Sequence, residues 1–96
     1  MVVAVCKLGI FFLDEPDSLK RKRQMLLSIK DRIKRRFEAS IAEVDFQDKW
    51  QKSCLGISIV SLTEHDAKKL VSKMLDFIEN DGTVEIFDKY LDFYVI

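Results

Sequence analysis

The stretch ASIAEVDFQDKWQKSCLGISIVSL, residues 39–62, decides the fold. Apolar and polar side chains alternate in its first part, Ala39 to Asp45, and again in its last part, Ser53 to Leu62. Alternation with a period of two residues is typical of strands that bury one face of a sheet. Between them, Phe46 to Lys52 is polar and is predicted to form a hairpin loop. The stretch therefore predicts two neighbouring antiparallel strands.

A helical pattern lies on each side of this hairpin. Upstream, apolar residues recur at helical spacing from Ser18 to Phe37, and Asp17 or Ser18 is placed to cap the first turn. Downstream, Thr63 is the predicted cap of a second amphipathic helix, which ends at Asn80-Asp81-Gly82 because glycine adopts the left-handed conformation that terminates helices.

Two further strands are predicted at the ends of the chain. The first is VVAVCKLGIFFL, residues 2–13, which ends at the breaker cluster 14–17. The second is Thr83 to Ile96, where the apolar parity shifts between Ile86 and Leu91, and this shift predicts a β-bulge.

The resulting order β-α-β-β-α-β predicts an α+β, ferredoxin-like fold formed as one domain by residues 1–96. Right-handed crossovers give a four-stranded antiparallel sheet in the order 4-1-3-2, with strands numbered along the chain and both helices on one face.

Composition narrows the class of protein. Of the 96 residues 48% are hydrophobic, and there are one proline and three glycines, which excludes a largely disordered chain. No apolar run is long enough to span a membrane, and the first residues lack a signal-peptide cleavage site. Cys6 and Cys54 lie far apart in apolar strand patterns, so we expect reduced core thiols in a cytoplasmic protein.

The charge is balanced overall but unevenly distributed. Sixteen basic residues match sixteen acidic ones, yet residues 18–37 carry a net charge of +8 and residues 76–96 carry −5. A helix with this charge is suited to binding a polyanion, while the alternative is a solvated face paired with acids of the same chain.

The predicted topology brings two segments, Ser18 to Arg23 and Phe46 to Lys52, to one end of the fold, which we call the motif end. Its basic and aromatic residues are candidates for binding an anion or RNA because lysine and arginine contact phosphates and tryptophan stacks on bases. The candidate RNA-binding residues are Lys20, Arg21, Lys22, Arg23, Gln47, Trp50 and Gln51. Alternatively, Trp50 covers the core.

Lys22 has a second interpretation. At 100° per residue it falls on the apolar side of its helix, so its ammonium group must reach solvent or meet a carboxylate. Asp45 and Asp48 in the hairpin are the predicted partners in a structural clasp.

Enzymatic chemistry is not favoured. Glu43, Asp45 and Asp48 form an acidic cluster, but its spacing matches no calcium loop, and no nucleophile and base accompany it. His65 is expected at the surface. We therefore expect no catalytic residue, no metal and no cofactor.

The sheet face away from the helices offers an alternative function. Small and apolar residues on the two central strands would suit close approach of a second copy of the sheet. The candidate dimer residues are Val3, Val5, Phe11, Gly56 and Ser58. Base stacking of the usual RNA-recognition kind is not favoured there, because the third strand presents Cys54, Gly56 and Ser58.

Several motifs resemble the YlxP-like bacterial family of unknown function over about residues 1–90. They are Ser18-Leu19-Lys20-x-Lys22-Arg23, Ala42-Glu43-Val44-Asp45, Gln47-Asp48-x-Trp50-Gln51, Gly56 and Val60-Ser61. The resemblance implies a ferredoxin-like fold and, through neighbouring genes, an association with translation and ribosome assembly. It supplies no catalytic residue or ligand, and Arg21 departs from a family pattern in which an acid is frequent.

The sequence thus favours a small non-enzymatic protein that associates with RNA or a ribosomal precursor through the motif end. The alternative is a protein-interaction or homodimerisation module that uses the open sheet face. Neither interpretation requires a membrane.

Overall fold

The computed structural model describes all residues from Met1 to Ile96 and contains six elements in the predicted order. They are β1 (Val2–Phe12), α1 (Leu19–Phe37), β2 (Ser40–Asp45), β3 (Lys52–Ser61), α2 (Glu64–Asn80) and β4 (Val84–Val95). Every predicted strand boundary lies within one residue of the observed one. Neither helix is long and apolar enough to cross a membrane.

The four strands form one antiparallel sheet in the order β2-β3-β1-β4. This is the predicted order 4-1-3-2 counted from the opposite edge of the sheet, so the prediction is confirmed. β1 and β3 pair without interruption from Val2 opposite Ser61 to Phe11 opposite Lys52. The pairing of β1 with β4 shifts between Gly9 and Ile10, which leaves Phe87 as the extra residue. This bulge lies where the parity of the sequence changes.

Both helices pack on one face of the sheet, and the core lies between the two layers. Every second residue of β1, beginning at Val2, points into it, and β3 contributes the residues that alternate with Cys54 and Gly56. The core side chains with the least exposure are Ala4, Leu8, Ile10, Ile29, Ile33, Leu55, Ala67, Met74 and Ile78. Burial of this apolar area supplies most of the stabilising free energy of the fold.

The helix ends follow the predicted capping. Ser18 Oγ accepts a hydrogen bond from the Arg21 amide at 3.0 Å, and Thr63 Oγ1 accepts one from the Asp66 amide at 3.1 Å. Ser18 rather than Asp17 is therefore the cap of α1. Gly82 has φ +82°, the left-handed conformation expected after α2.

Polar contacts fix the position of α1 against the end of α2. The Arg32 guanidinium pairs with Asp81, and the Arg36 guanidinium lies 5.0 Å from the centre of the Phe77 ring. These residues lie on the flank of α1 that faces α2, so the opposite flank faces away from it.

Candidate functional site

Lys22 connects the two segments of the motif end. Lys22 Nζ in the second turn of α1 donates to the backbone carbonyl of Phe46 at 2.5 Å. The contact holds the first turns of α1 against the hairpin that joins β2 to β3. The sequence prediction that Ser18 to Arg23 and Phe46 to Lys52 lie at one end of the fold is thus correct.

Lys22 is a buried cation with a buried partner. Only 1% of its surface is exposed, and its Nζ lies 3.1 Å from Glu43 Oε2. The same carboxylate oxygen accepts a hydrogen bond from Ser53 Oγ at 2.5 Å. We call these contacts of Lys22, Glu43, Ser53 and the Phe46 carbonyl the clasp. Because each polar group in it has a partner, the charge is tolerated inside the core.

The prediction that Asp45 or Asp48 pairs with Lys22 is wrong, and the register of β2 explains why. The pairing of β2 with β3 shifts between Glu43 and Asp45. Glu43 lies opposite Leu55 and points to the helices, whereas Asp45 lies opposite Cys54 on the other face of the sheet. Asp48 is exposed in the turn that follows.

Phe46 connects the two faces of the sheet. Its φ of +63° is in the left-handed region, which is rare for a bulky side chain and costs roughly 1–3 kcal/mol. The Asp45 carboxylate accepts a hydrogen bond from the Phe46 amide at 2.7 Å and so helps to hold this conformation. The carbonyl meets Lys22 on the helix side, while the ring lies 6.4 Å from the Phe87 ring on the face away from the helices.

Most basic residues of α1 have no acidic partner within the chain. Of its nine lysines and arginines, only Lys22 and Arg32 form an ion pair with an acid of this chain. Seven have no such partner: Lys20, Arg21, Arg23, Lys30, Lys34, Arg35 and Arg36. Pairing of the basic face with acids of the same chain is therefore limited to Lys22 and Arg32.

Four of these cations share one side of α1. At 100° per residue, Arg23, Lys30 and Lys34 fall within a narrow arc on the flank opposite Arg32, and Lys20 borders it. We call Lys20, Arg23, Lys30 and Lys34 the basic flank. It runs along the side of α1 that faces away from α2, and it begins at the motif end.

The hairpin contributes the other predicted residues. Gln47, Trp50 and Gln51 are all exposed, and Trp50 retains 49% of its surface. The alternative that Trp50 covers the core is thus wrong. Trp50 lines a depression of about 430 Å³ together with Phe11, Lys49, Gln51 and Lys52. Lys49 and Lys52 were not among the predicted residues, although their positions on either side of Trp50 and Gln51 are a signal in the sequence.

The sheet face away from the helices, which we call the open face, is covered by no element of the chain. Val3, Val5, Gly56 and Ser58 are half-buried on it, and Phe11 is 41% exposed. The predicted dimer residues therefore do share one face. Gly56 has a role within the chain as well, since a Cβ there would lie 2.9 Å from Val44 Cγ1.

Three phenylalanines form a cluster at the motif end of the open face. The ring centres of Phe11 and Phe87 are 4.5 Å apart, and Phe46 lies on the other side of Phe87. Lys52 Nζ is 4.2 Å from the centre of the Phe46 ring. The sequence does not reveal this cluster, because the parity shift does not show that Phe87 is the extra residue of the bulge, and periodicity does not show that Phe46 is left-handed.

The chain has two thiols and one imidazole. No three His, Cys, Asp or Glu side chains are arranged to hold a metal ion. Burial raises the pKa of the Cys6 thiol to about 11 and raises the pKa of Cys54 as well, with the positive charge of Lys7 opposing the shift at Cys54. Both thiols are therefore protonated and weakly nucleophilic at neutral pH. His65 is exposed in the first turn of α2.

Comparison with known proteins identifies the family and supports the fold. Residues 3–90 match the family model described as a protein of unknown function, DUF503. The chain is 37% identical to the uncharacterized protein YlxP of Bacillus subtilis (strain 168) over 68 residues, which are 71% of this chain and 74% of that protein. A de novo designed protein with a ferredoxin fold superposes with a TM-score of 0.54 at 17% identity, covering 100% of this chain and 89% of the other. The chain has a ferredoxin-like fold and belongs to the DUF503 family.

Proposed function

We propose that this protein is an RNA-binding module and that it contacts ribosomal RNA or its precursor with the basic flank and the motif end. The observation that carries the proposal is the set of seven α1 cations without an acidic partner in the chain. A folded protein that gathers like charges on one helix accepts their mutual repulsion, and a polyanion relieves that repulsion.

The first turn of α1 adds to this positive potential. Its free amide groups and the helix dipole place about half a positive charge at the N-terminus. Lys20, Arg21 and Arg23 are all exposed around that turn. Phosphate oxygens are suited to such a site because they accept hydrogen bonds from amide, ammonium and guanidinium groups.

Lys22 has a different role in this proposal. Its ammonium group is occupied by Glu43 and by the Phe46 carbonyl, so it positions the hairpin and does not contact the RNA. The candidate RNA-binding set is accordingly Lys20, Arg21, Arg23, Gln47, Trp50 and Gln51, extended by Lys49 and Lys52.

Salt-dependent binding tests the proposal. A fluorescent RNA is titrated with the protein at about 50 mM and about 200 mM salt, a range over which phosphate contacts lose much of their free energy. We expect Lys20→Ala and Arg23→Ala each to weaken binding and to lower the logarithmic salt slope by about 0.7–0.9, the value of one phosphate contact.

Lys69→Ala is the matched control, since Lys69 is an exposed lysine on α2, outside the proposed site. It should bind RNA as the parent does. The absence of RNA binding at the lower salt concentration, or equal losses from all three substitutions, would refute the proposal.

Homodimerisation through the open face is a second candidate function. The observation that favours it is a row of apolar residues across the sheet, where Val60 and Tyr94 flank Val3. Val60 and Tyr94 are 63% and 52% exposed, and large exposed apolar areas on a sheet favour association. This row lies at the end of the sheet away from the hairpin, so both candidates are compatible in one molecule.

A further inference from the structure

We infer that the cluster of Phe11, Phe46 and Phe87, which we call the aromatic platform, stacks the unpaired bases of single-stranded RNA. This inference rests on the proposed function and adds the class of RNA that the motif end accepts. A surface made only of cations would favour the duplex, whose phosphates are more densely spaced. Exposed rings favour the single strand, because bases within a duplex are already stacked on one another.

Specific features of the fold position the rings of the platform. The bulge in β4 places the Phe87 ring directly over Gly9, where a Cβ would lie 2.6 Å from Phe87 Cζ. Any side chain at Gly9 would occupy the space of the Phe87 ring, so only glycine leaves room for it. Phe11 then packs against Phe87 at 4.5 Å with an interplanar angle of 36°.

The rings are held in place but remain accessible. Phe11 is 41% exposed and Phe87 is 42% exposed, although both lie on ordered strands. Trp50 continues the aromatic surface onto the hairpin, next to Phe11 in the depression that both residues line. Rings fixed by their neighbours lose little conformational entropy when a base stacks on them.

The charged residues around the platform indicate the path of the RNA phosphate backbone. Asp45 and Asp88 line the open face beside the platform together with Lys7 and Lys89, so the charges there balance and give no net attraction for phosphate. Lys49 and Lys52 lie on the hairpin side, and the Lys22 contact to Phe46 connects that side to the cations of α1. The bases would therefore rest on the rings while the backbone follows the hairpin toward Lys20 and Arg23.

The proposal also accounts for the conformation of Phe46. A phenylalanine occupies this left-handed position although a glycine would relieve the backbone strain. With φ at +63° the residue contributes its ring to the platform and its carbonyl to the clasp. Both faces of the motif end are thereby fixed relative to one another.

Binding of a single strand and of its duplex to ring-removal variants tests this inference. The probe is a fluorescein-labelled RNA of about 10 nucleotides, within the usual site size of such domains, used alone and annealed to its complement. Phe11→Leu and Phe87→Leu keep the apolar bulk but remove the stacking surface. Phe93→Leu is the control, because Phe93 lies on the same strand as Phe87 but packs against the core on the helix side of the sheet.

We expect the parent protein to prefer the single strand. Each platform variant should weaken single-strand binding by about tenfold or more, the value of one stacked base, with the salt slope unchanged. Phe93→Leu should bind as the parent does. The fluorescence of Trp50, the only tryptophan of the chain, should be quenched by the single strand.

The outcomes separate the two proposals. If the parent binds RNA but both platform variants bind it equally well, the platform inference is overturned while the proposed function stands. If the parent binds neither form at low salt, the proposed function itself fails. If the platform variants change only the oligomeric state in sedimentation, the rings pack against a second copy and the inference is wrong. Circular dichroism of each variant confirms that it is folded.

Discussion

Lys22 is the only charged side chain in a core otherwise made of apolar residues and two serines. Its burial was predictable from the helical period, since it shares the arc of Leu26, Ile29 and Ile33. Its partner was not predictable, because the choice between Glu43 and Asp45 depends on one inserted residue in the pairing of β2 with β3. A shift of one residue moves a side chain to the opposite face of a sheet.

Replacement of Lys22 tests the clasp. Lys22→Met keeps the apolar stem but leaves the Glu43 carboxylate and the Phe46 carbonyl without their cation. We expect the free energy of unfolding in urea to fall by about 3–5 kcal/mol, the usual cost of breaking a buried ion pair. Lys20→Met is the control, because Lys20 is exposed and its loss should change stability by less than about 0.5 kcal/mol. Equal stabilities of the two variants would show that the clasp does not stabilise the fold.

Burial of the Cys6 thiol makes the free energy of unfolding depend on pH at alkaline pH. The thiol ionises near 9.0 when exposed, but burial raises its pKa to about 11 in the folded protein. The unfolded chain thus loses the proton first, so stability is fully present below pH 9.0 and falls as the pH rises toward about 11. The difference in unfolding free energy between the parent and Cys6→Ala should be constant at lower pH and should shift in favour of the variant over this window. A constant difference throughout would contradict a buried, protonated thiol.

At the scale of the elements, the bulge in β4 determines the shape of the open face. It turns the Phe87 ring over Gly9, and the register on either side of it leaves the inner face of β4 directed to the core. The shift of apolar parity in the sequence located this bulge within a few residues. The sequence could not show that the extra residue is Phe87, because several positions between Ile86 and Leu91 satisfy the same pattern.

The contact of Gly9 with Phe87 can be measured by a double-mutant cycle. Gly9→Ala places a methyl group against the ring, and overpacking of this kind costs about 1–3 kcal/mol of unfolding free energy. In a Phe87→Ala background the clash is absent, so the same substitution should cost much less. Additive effects of the two changes would mean that the ring does not lie over Gly9 in solution.

The helical and the strand periodicity together predict which side chains of the helices and strands are buried. One of these side chains is less buried than the others. Leu26→Ala and Ile57→Ala remove side chains that are 6% and 3% exposed, so each should lower the free energy of unfolding by about 2–5 kcal/mol. Leu70, which the helical period of α2 also places on the core side, is only half-buried beside the core, and Leu70→Ala should cost less. If Leu70→Ala is the most damaging of the three, the packing of α2 differs from this description.

At the scale of the whole molecule, the topology separates the charges. The sheet places β2 at one edge and β4 at the other, with α1 packed near β2 and α2 near β4. The net charge of +8 in residues 18–37 therefore lies on one side, and the −5 of residues 76–96 lies mainly on the other. The electric field produced by this separation of charge would orient a polyanion toward the basic flank before contact.

The second candidate function is tested by sedimentation at micromolar protein concentration. If the open face makes a homodimer, Val5→Glu and Ser58→Glu should each dissociate it, because an unpaired charge in an interface is strongly unfavourable. Ser58 is preferable to Gly56 here, since any side chain at Gly56 also displaces Val44. A parent protein that sediments as a monomer at high concentration would rule out the dimer.

The central claim, that RNA binds at the motif end, is tested most directly by backbone amide NMR spectra of the labelled protein during titration with a short single-stranded RNA. We expect the largest shifts in the first turns of α1, in Phe46 to Lys52 and around Phe87, with the amides of α2 unchanged. Shifts confined to α2 or to the opposite end of the sheet, or the absence of any shift at low salt, would contradict this account.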